Sequence, residues 1–589
     1  MVGSTRTPES QRTQPAAVSG SRLSALALEQ TRKHRPWDAA AWVIIGLVLA
    51  VVCATFLQYG VAWDEQGETV YGSMLIDFYR SGFRDHSAFN FVNFRFYGGG
   101  FELPAALLSR MLPLNEYETR HLLGALIGVV GLIALYRVGR RLFGARAGVL
   151  ALLLLVLNPT WYGNIFNNAR DVPFATGMTL CLLLTLRMLD ELPRISVRNA
   201  VMFGLVFGWT TSVRVGGVLG LLFLLAPLGL WLLMQLRAGT LDKATVLHVA
   251  KRLALTCGAA YALMAVLWPW AVMSPLNPLR ALTMFSHFPF DSNVLFDGQL
   301  VLAKALPAAY LPTMLVIKSP ELLVFAVALA ALFALRRLQL GATALPVWAV
   351  VIAAAFPVVY FLIARPVAYN GMRHFLFVLP PLSVLGAYAL DRLFELLPLR
   401  VLRAGYGLAL AACALWQVQI VTELFPNEYV YYNSFVGGPQ GAAKRYELDY
   451  WGMSLQEATE SFVKQMQSAG TEPLPNDPPY YVFVCGNVWS ASLFFPHWLQ
   501  PVPRIEEADY QIAIQDFFCQ SPSDSQRVLE VSRGDAVLSF VDSLRPGERS
   551  RSRNRLAIQR RPTVKQKARA TVPSAAPAPR PARSKVAAD

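Results

Sequence analysis

The stretch ETRHLLGALIGVVGLIALYRVGRRLFGARAGVLALLLLVLNPT, residues 118–160, decides the fold class. It holds two apolar runs, 118–136 and 146–160, with Arg137, Arg140, Arg141 and Arg146 between them. With flanks and tilt, each run reaches across the roughly 30 Å hydrocarbon core of a bilayer. A span must satisfy its own backbone polar groups, so each reads as a helix. The intervening arginines mark the cytoplasmic side. Residues 118–160 therefore read as two membrane helices joined by a short cytoplasmic connection.

The same pattern recurs along the chain. Apolar runs at 39–59, 172–189, 198–213, 217–236, 253–273, 320–335, 344–363, 374–391 and 402–421 bring the predicted spans to about eleven. Only 15% of residues are charged and 54% are hydrophobic, against about 25% charged in soluble chains. That balance excludes an ordinary soluble enzyme, a disordered chain and a collagen-like chain. Alternate connections are basic: Arg187, Arg194 and Arg198; Arg237, Lys243, Lys251 and Arg252; Arg336 and Arg337; Arg392, Arg400 and Arg403. By charge, connections 60–117, 161–171, 214–216, 274–319 and 364–373, and the region after 421, face outward.

The net charge of +15 is concentrated in the tails. Residues 545–589 hold thirteen Lys/Arg against two acids, and residues 1–38 hold six against three. The basic tail contains no aromatic residue, so no nucleic-acid partner is expected and anionic lipid is the natural contact. The predicted organisation is a disordered cytoplasmic leader (1–38), a transmembrane domain (39–421), an outer α/β domain (422–545) and a disordered basic tail (546–589). Segment 67–82, GETVYGSMLIDFYRSG, reads as an interfacial helix. In the outer domain LQEATESFVKQMQ reads as a helix, and YYVFVCG, DYQIAIQ and AVLSFV read as strands. Cys485 and Cys519 lie in this domain, where an oxidising compartment would let them pair.

Two acidic elements fall on the outward side. One is Trp63-Asp64-Glu65-Gln66-Gly67-Glu68; the other is Asn168-Ala169-Arg170-Asp171-Val172-Pro173. The bland readings are a solvated loop charge for the first and a helix N-cap for Asp171. Their shared side favours one site instead, because ionisable residues at membrane boundaries are functional candidates. Outward cations Arg214, Lys318, Arg365 and Arg373 read either as snorkelling side chains or as phosphate ligands. Together these groups suit transfer from a lipid phosphate: a carboxylate deprotonates an acceptor hydroxyl, and cations stabilise the departing phosphate.

At these motifs the chain resembles the GT-C membrane glycosyltransferases, in particular the protein O-mannosyltransferase and aminoarabinose transferase group. WDEQGE, NARDVPFA, YNGMRHFLFVLPPLSVLGAYAL and YYNSFVGGPQGAAKRYELDYWGMSLQEA carry the resemblance. It implies Asp64 as catalytic base, Glu65 as its neighbour tuning the base or positioning the acceptor, and Asp171 on the acceptor side. It implies a polyprenyl-phosphate sugar donor, for whose phosphate Lys318, Arg365 and Arg373 are the candidates. No metal and no other cofactor is expected. Loop 274–319 is too short for the β-trefoil insertion of eukaryotic protein mannosyltransferases, so the acceptor is open among glycan, lipid and protein. The expected setting is a bacterial inner membrane with the site facing the periplasm. The alternative reading is a transporter or flippase for a lipid-linked substrate, although no internal repeat supports it.

Overall fold

The computed structural model describes residues 20–286, 288–336, 344–473 and 477–545. The basic tail predicted for 546–589 lies outside the described residues. Among the described residues eight helices are long and apolar enough to cross a membrane, and up to ten spans result if each of two bent helix pairs counts as one. The protein is thus a multi-span helical membrane protein. The bent pairs are Ala145–Val156 with Pro159–Asn167, turned by 68°, and Tyr310–Ile317 with Glu321–Leu335, turned by 119°. The run predicted at 198–213 is the helix Val197–Val213, of 17 residues. The first helix, Gly20–Thr55, begins inside the segment predicted as a disordered leader.

Local chemistry explains the helix boundaries that matter here. Asn115 and Glu118 form a reciprocal capping box at the start of helix Glu116–Phe143, with bonds of 2.8 and 2.9 Å. Asn158 caps helix Pro159–Asn167, whose first residue is proline. At one end of the bundle, ion pairs tie neighbouring helices together, including Arg140 with Asp38 and Arg146 with Asp391.

The other end carries the C-terminal region. Two small strands, β1 (Asn293–Phe296) and β2 (Gln299–Leu302), form an antiparallel hairpin in loop 274–319. Sequence reading missed it, although Asp297-Gly298 at its tip supplies the two positive-φ residues such a turn requires. Beyond the last long helix the predicted helix is present as Ser454–Ser468. It packs on a five-stranded sheet of order β4-β3-β5-β7-β6. The predicted strands are β3 (Tyr480–Cys485), β5 (Tyr510–Ile514) and β7 (Ala536–Ser543). β4 (Leu499–Val502) and β6 (Gln526–Arg533) were not predicted; both are edge strands, with more exposed residues and no clean alternation.

Residues 424–453 pack with the core of the helical bundle, whereas the separate core of the sheet begins at Leu455. The docking is close. A Cβ at Gly163 would stand 2.3 Å from the Tyr429 nitrogen, and one at Gly60 2.2 Å from the Met453 oxygen. Only glycine permits these approaches. They bring segment 427–453 against the loops that hold both acidic elements.

Candidate active site

All six segments predicted to face one way meet at one cavity of about 700 Å³. Its wall includes Asp64, Tyr97, Asp171, Arg214, Phe290 and Arg373, with Glu447 and Asp516 from the C-terminal region. Asp64 and Asp171, 107 positions apart in sequence, line the same space.

Neither acid is used as a helix cap. Asp64 occupies the N-cap position of helix Glu65–Arg80, but its side chain makes no capping bond. It is half exposed (51%) and pairs with Arg373, whose Nη1 donates to Oδ2 at 3.1 Å. Asp171 is the first residue of helix Asp171–Asp190 rather than its N-cap, which is Arg170. Its carboxylate pairs with Arg214 at 2.6 Å and accepts from Asn168 Nδ2 at 3.1 Å. The surrounding protein pushes the Asp64 carboxyl up, but Arg373 and Arg170 outweigh that and hold it below the ordinary carboxylate value. Asp64 is therefore ionised at neutral pH.

Three arginines pair with three acids along the wall. Arg373 pairs with Asp64, Arg214 with Asp171, and Arg170 with Glu68 at 2.7 Å. Arg170 also lies over the Tyr97 ring, 3.6 Å from its centre. Arg373 sits between Tyr369 and Trp451, at 5.1 and 5.3 Å, and its buried Nε has no hydrogen-bond partner among the described residues. Behind this wall a buried network continues inward: Arg120 donates to Glu68 at 2.7 Å and to Glu102 at 2.5 Å. Glu447 and Asp516 complete the rim. Burial pushes Glu447 up to about 8 and Asp516 up to about 6.

The structure separates the other predicted residues from the cavity. Glu65 is 1% exposed and turned inward, where it accepts from the Ala62 N–H at 2.7 Å and contacts His121 at 3.1 Å. Lys318 is buried in the bend between two helices. Its Nζ donates to the Tyr429 carbonyl at 3.0 Å and lies 3.9 Å from the Tyr432 ring centre. Arg365 caps helix Leu345–Ala364 in the left-handed conformation and is exposed away from the cavity wall. Of the three predicted phosphate ligands, only Arg373 lines the cavity. Arg170 and Glu68 were missed as site residues, although both lie inside the motifs quoted for Asp171 and Asp64. Among the described residues no three His, Cys, Asp or Glu side chains group as a metal-ligand set.

The fold and the cavity define a class: a multi-span membrane protein with a carboxylate- and arginine-lined chamber at the end that carries its C-terminal region. Residues 111–270 match the family of dolichyl-phosphate-mannose-protein mannosyltransferases, which agrees with the resemblance read from the sequence. Among solved structures the chain is similar to ArnT from Cupriavidus metallidurans in the apo state, at 16% identity and a TM-score of 0.47, covering 86% of this chain and 98% of that one. It is similar to the same protein bound to undecaprenyl phosphate, at 15% identity and a TM-score of 0.46, covering 86% and 99%. A third similar structure is the archaeal oligosaccharyltransferase AglB from Archaeoglobus fulgidus with an inhibitory peptide and a dolichol-phosphate, at 12% identity and 0.43, covering 82% and 69%. No curated protein matches the chain.

Proposed function

We propose that this protein is an inverting glycosyltransferase. It moves a sugar from a polyprenyl-phosphate donor to a hydroxyl of a glycan, lipid or protein acceptor, at the periplasmic face of a bacterial inner membrane. The observation that carries this reading is the meeting of Asp64 and Asp171 with three arginines in one cavity. The match of residues 111–270 to a family named for a dolichyl-phosphate-linked sugar supports the donor class. The alternation of basic connections supports the orientation. The Cys485–Cys519 disulfide, beside cavity residues Asp516 to Phe518, fits an oxidising compartment.

In this reading the ionised Asp64 takes the proton of the acceptor hydroxyl as its oxygen bonds to the anomeric carbon. The bond from that carbon to the phosphate oxygen breaks, and polyprenyl phosphate leaves with the electron pair. Attack opposite the leaving group inverts the centre. Arg373 is the phosphate ligand we favour, joined by Arg170 and Arg214 in place of Lys318 and Arg365. A guanidinium has five donors in a planar fork, and the Asp64 carboxylate takes one of them, from Nη1, so Arg373 keeps donors for a phosphate oxygen while paired. Asp171, held by Arg214 and Asn168, borders the acceptor side.

The test is Asp64→Asn in membrane vesicles supplied with labelled polyprenyl-phosphate sugar. Transfer falls by about 10²–10⁴-fold, the contribution of a general base, at unchanged expression. Full transfer by the variant rejects Asp64 as base and the reading with it.

A further inference from the structure

A second hollow, of about 400 Å³, lies where helices Gly20–Thr55, Glu116–Phe143 and Asp171–Asp190 meet. It belongs to the end of the bundle opposite the acid-lined cavity, since Arg187 lies at the far end of the helix that Asp171 begins. Arg137, Arg140, Arg141 and Arg187 line it, with Asp38 and Trp42.

The charges do not balance. Asp38 is taken by Arg140, through bonds of 2.6 and 3.0 Å, and accepts a further bond from the Tyr136 hydroxyl. Arg141 pairs with Asp190 outside the hollow. Arg137 and Arg187 enter no ion pair among the described residues. Two guanidinium groups therefore converge on one concavity with no ion-pair partner of their own among the described residues. Like charges held together in this way favour an anion between them, and guanidinium donors match phosphate oxygens.

The position adds an apolar requirement. Arg140, Arg141 and Arg187 occupy the last turns of two apolar helices and Arg137 the turn before, which places the hollow at the membrane boundary. Trp42, 49% exposed on the rim, begins the apolar part of the first helix, and an indole suits the interface between headgroups and chains. Leu183, one turn deeper than Arg187, floors the hollow. A ligand that fits has a phosphate at its polar end and hydrocarbon beside Trp42.

We propose that this hollow binds the phosphate headgroup of an anionic phospholipid from the leaflet opposite the acid-lined cavity. Nothing in this rests on the transferase reading. The test is native mass spectrometry of the full-length protein in detergent, titrated with phosphatidylglycerol or with phosphatidylcholine of the same chains. Phosphatidylglycerol is retained in preference, and Arg137→Gln/Arg187→Gln weakens it about thirtyfold. The control Arg237→Gln/Lys243→Gln, which removes equal charge from another connection at that end, leaves retention unchanged. Where the double variant does not fold, exposed Arg137→Gln alone carries the test, with a loss of about fivefold. Equal retention of both lipids, or equal losses in the double variant and the control, overturns the proposal. Retention of inorganic pyrophosphate without phosphatidylglycerol overturns the lipid assignment and points to a soluble phosphate.

Discussion

Arg120 holds the network behind the cavity, and replacing it with methionine tests whether that network is structural. The side chain is 3% exposed. It serves Glu102 at 2.5 Å, Glu68 at 2.7 Å and Glu65 at 3.9 Å, all nearly buried. Removing one partner of a buried ion pair costs about 3–5 kcal/mol, chiefly because the remaining charge is left uncompensated. Here two of the three acids keep a second partner: Glu68 keeps Arg170 at 2.7 Å, and Glu65 keeps His121 at 3.1 Å. Among the described residues Glu102 alone is left without a polar partner, so the expected cost is at the low end, about 3 kcal/mol. Thermal unfolding of the purified protein, followed by tryptophan emission, reads this as a fall of a few degrees. Adding Glu102→Gln to Arg120→Met removes the stranded charge and recovers more than half of the loss, a coupling of about 2 kcal/mol. If Arg120→Met melts with the wild type, or if the two substitutions simply add, the network contributes nothing and the reasoning fails.

Three other outcomes are expected. The folded pKa of Glu447, about 8, lies above its ordinary 4.5, so the folded protein keeps a proton that the unfolded chain releases. That contribution to stability is complete below about 4.5 and is lost as pH rises through about 8; Glu447→Gln flattens the fall in melting temperature over that window, and an unchanged slope refutes the assignment. Arg373→Gln removes the nearest cation from Asp64 and lets its carboxyl rise, so the acidic limb of the pH–rate profile moves to higher pH; a limb that stays in place shows that the pair does not set the base. Lys318→Met removes a buried amine that donates to the Tyr429 carbonyl and lies outside the cavity wall; donor KM stays unchanged, and a tenfold rise would return Lys318 to the phosphate site.

The two acids show how far sequence reading reaches into the site. Asp64 and Asp171 were legible because carboxylates are rare in an apolar chain and both fell on the side marked by charge alternation. Glu65 has the same local credentials as Asp64. Yet it begins the helix that Asp64 precedes, and successive helical residues point about 100° apart, so one side chain opens to the cavity and the other turns to His121. Lys318 and Arg365 share composition and side with Arg373 but not its surroundings. No local pattern distinguishes a lysine folded against the Tyr432 ring from an arginine held between Tyr369 and Trp451.

By itself the sequence determined the apolar runs, their helical form, the two faces of the bundle and the presence of a small sheet after the last long helix. These are local properties: transfer of a segment out of water depends on the residues within it, and charge in a short connection depends only on that connection. Tertiary structure decided which charges meet. Asp64 and Arg373 are 309 residues apart, and the energy of their contact depends on distance and surrounding dielectric, which exist only once the helices have packed.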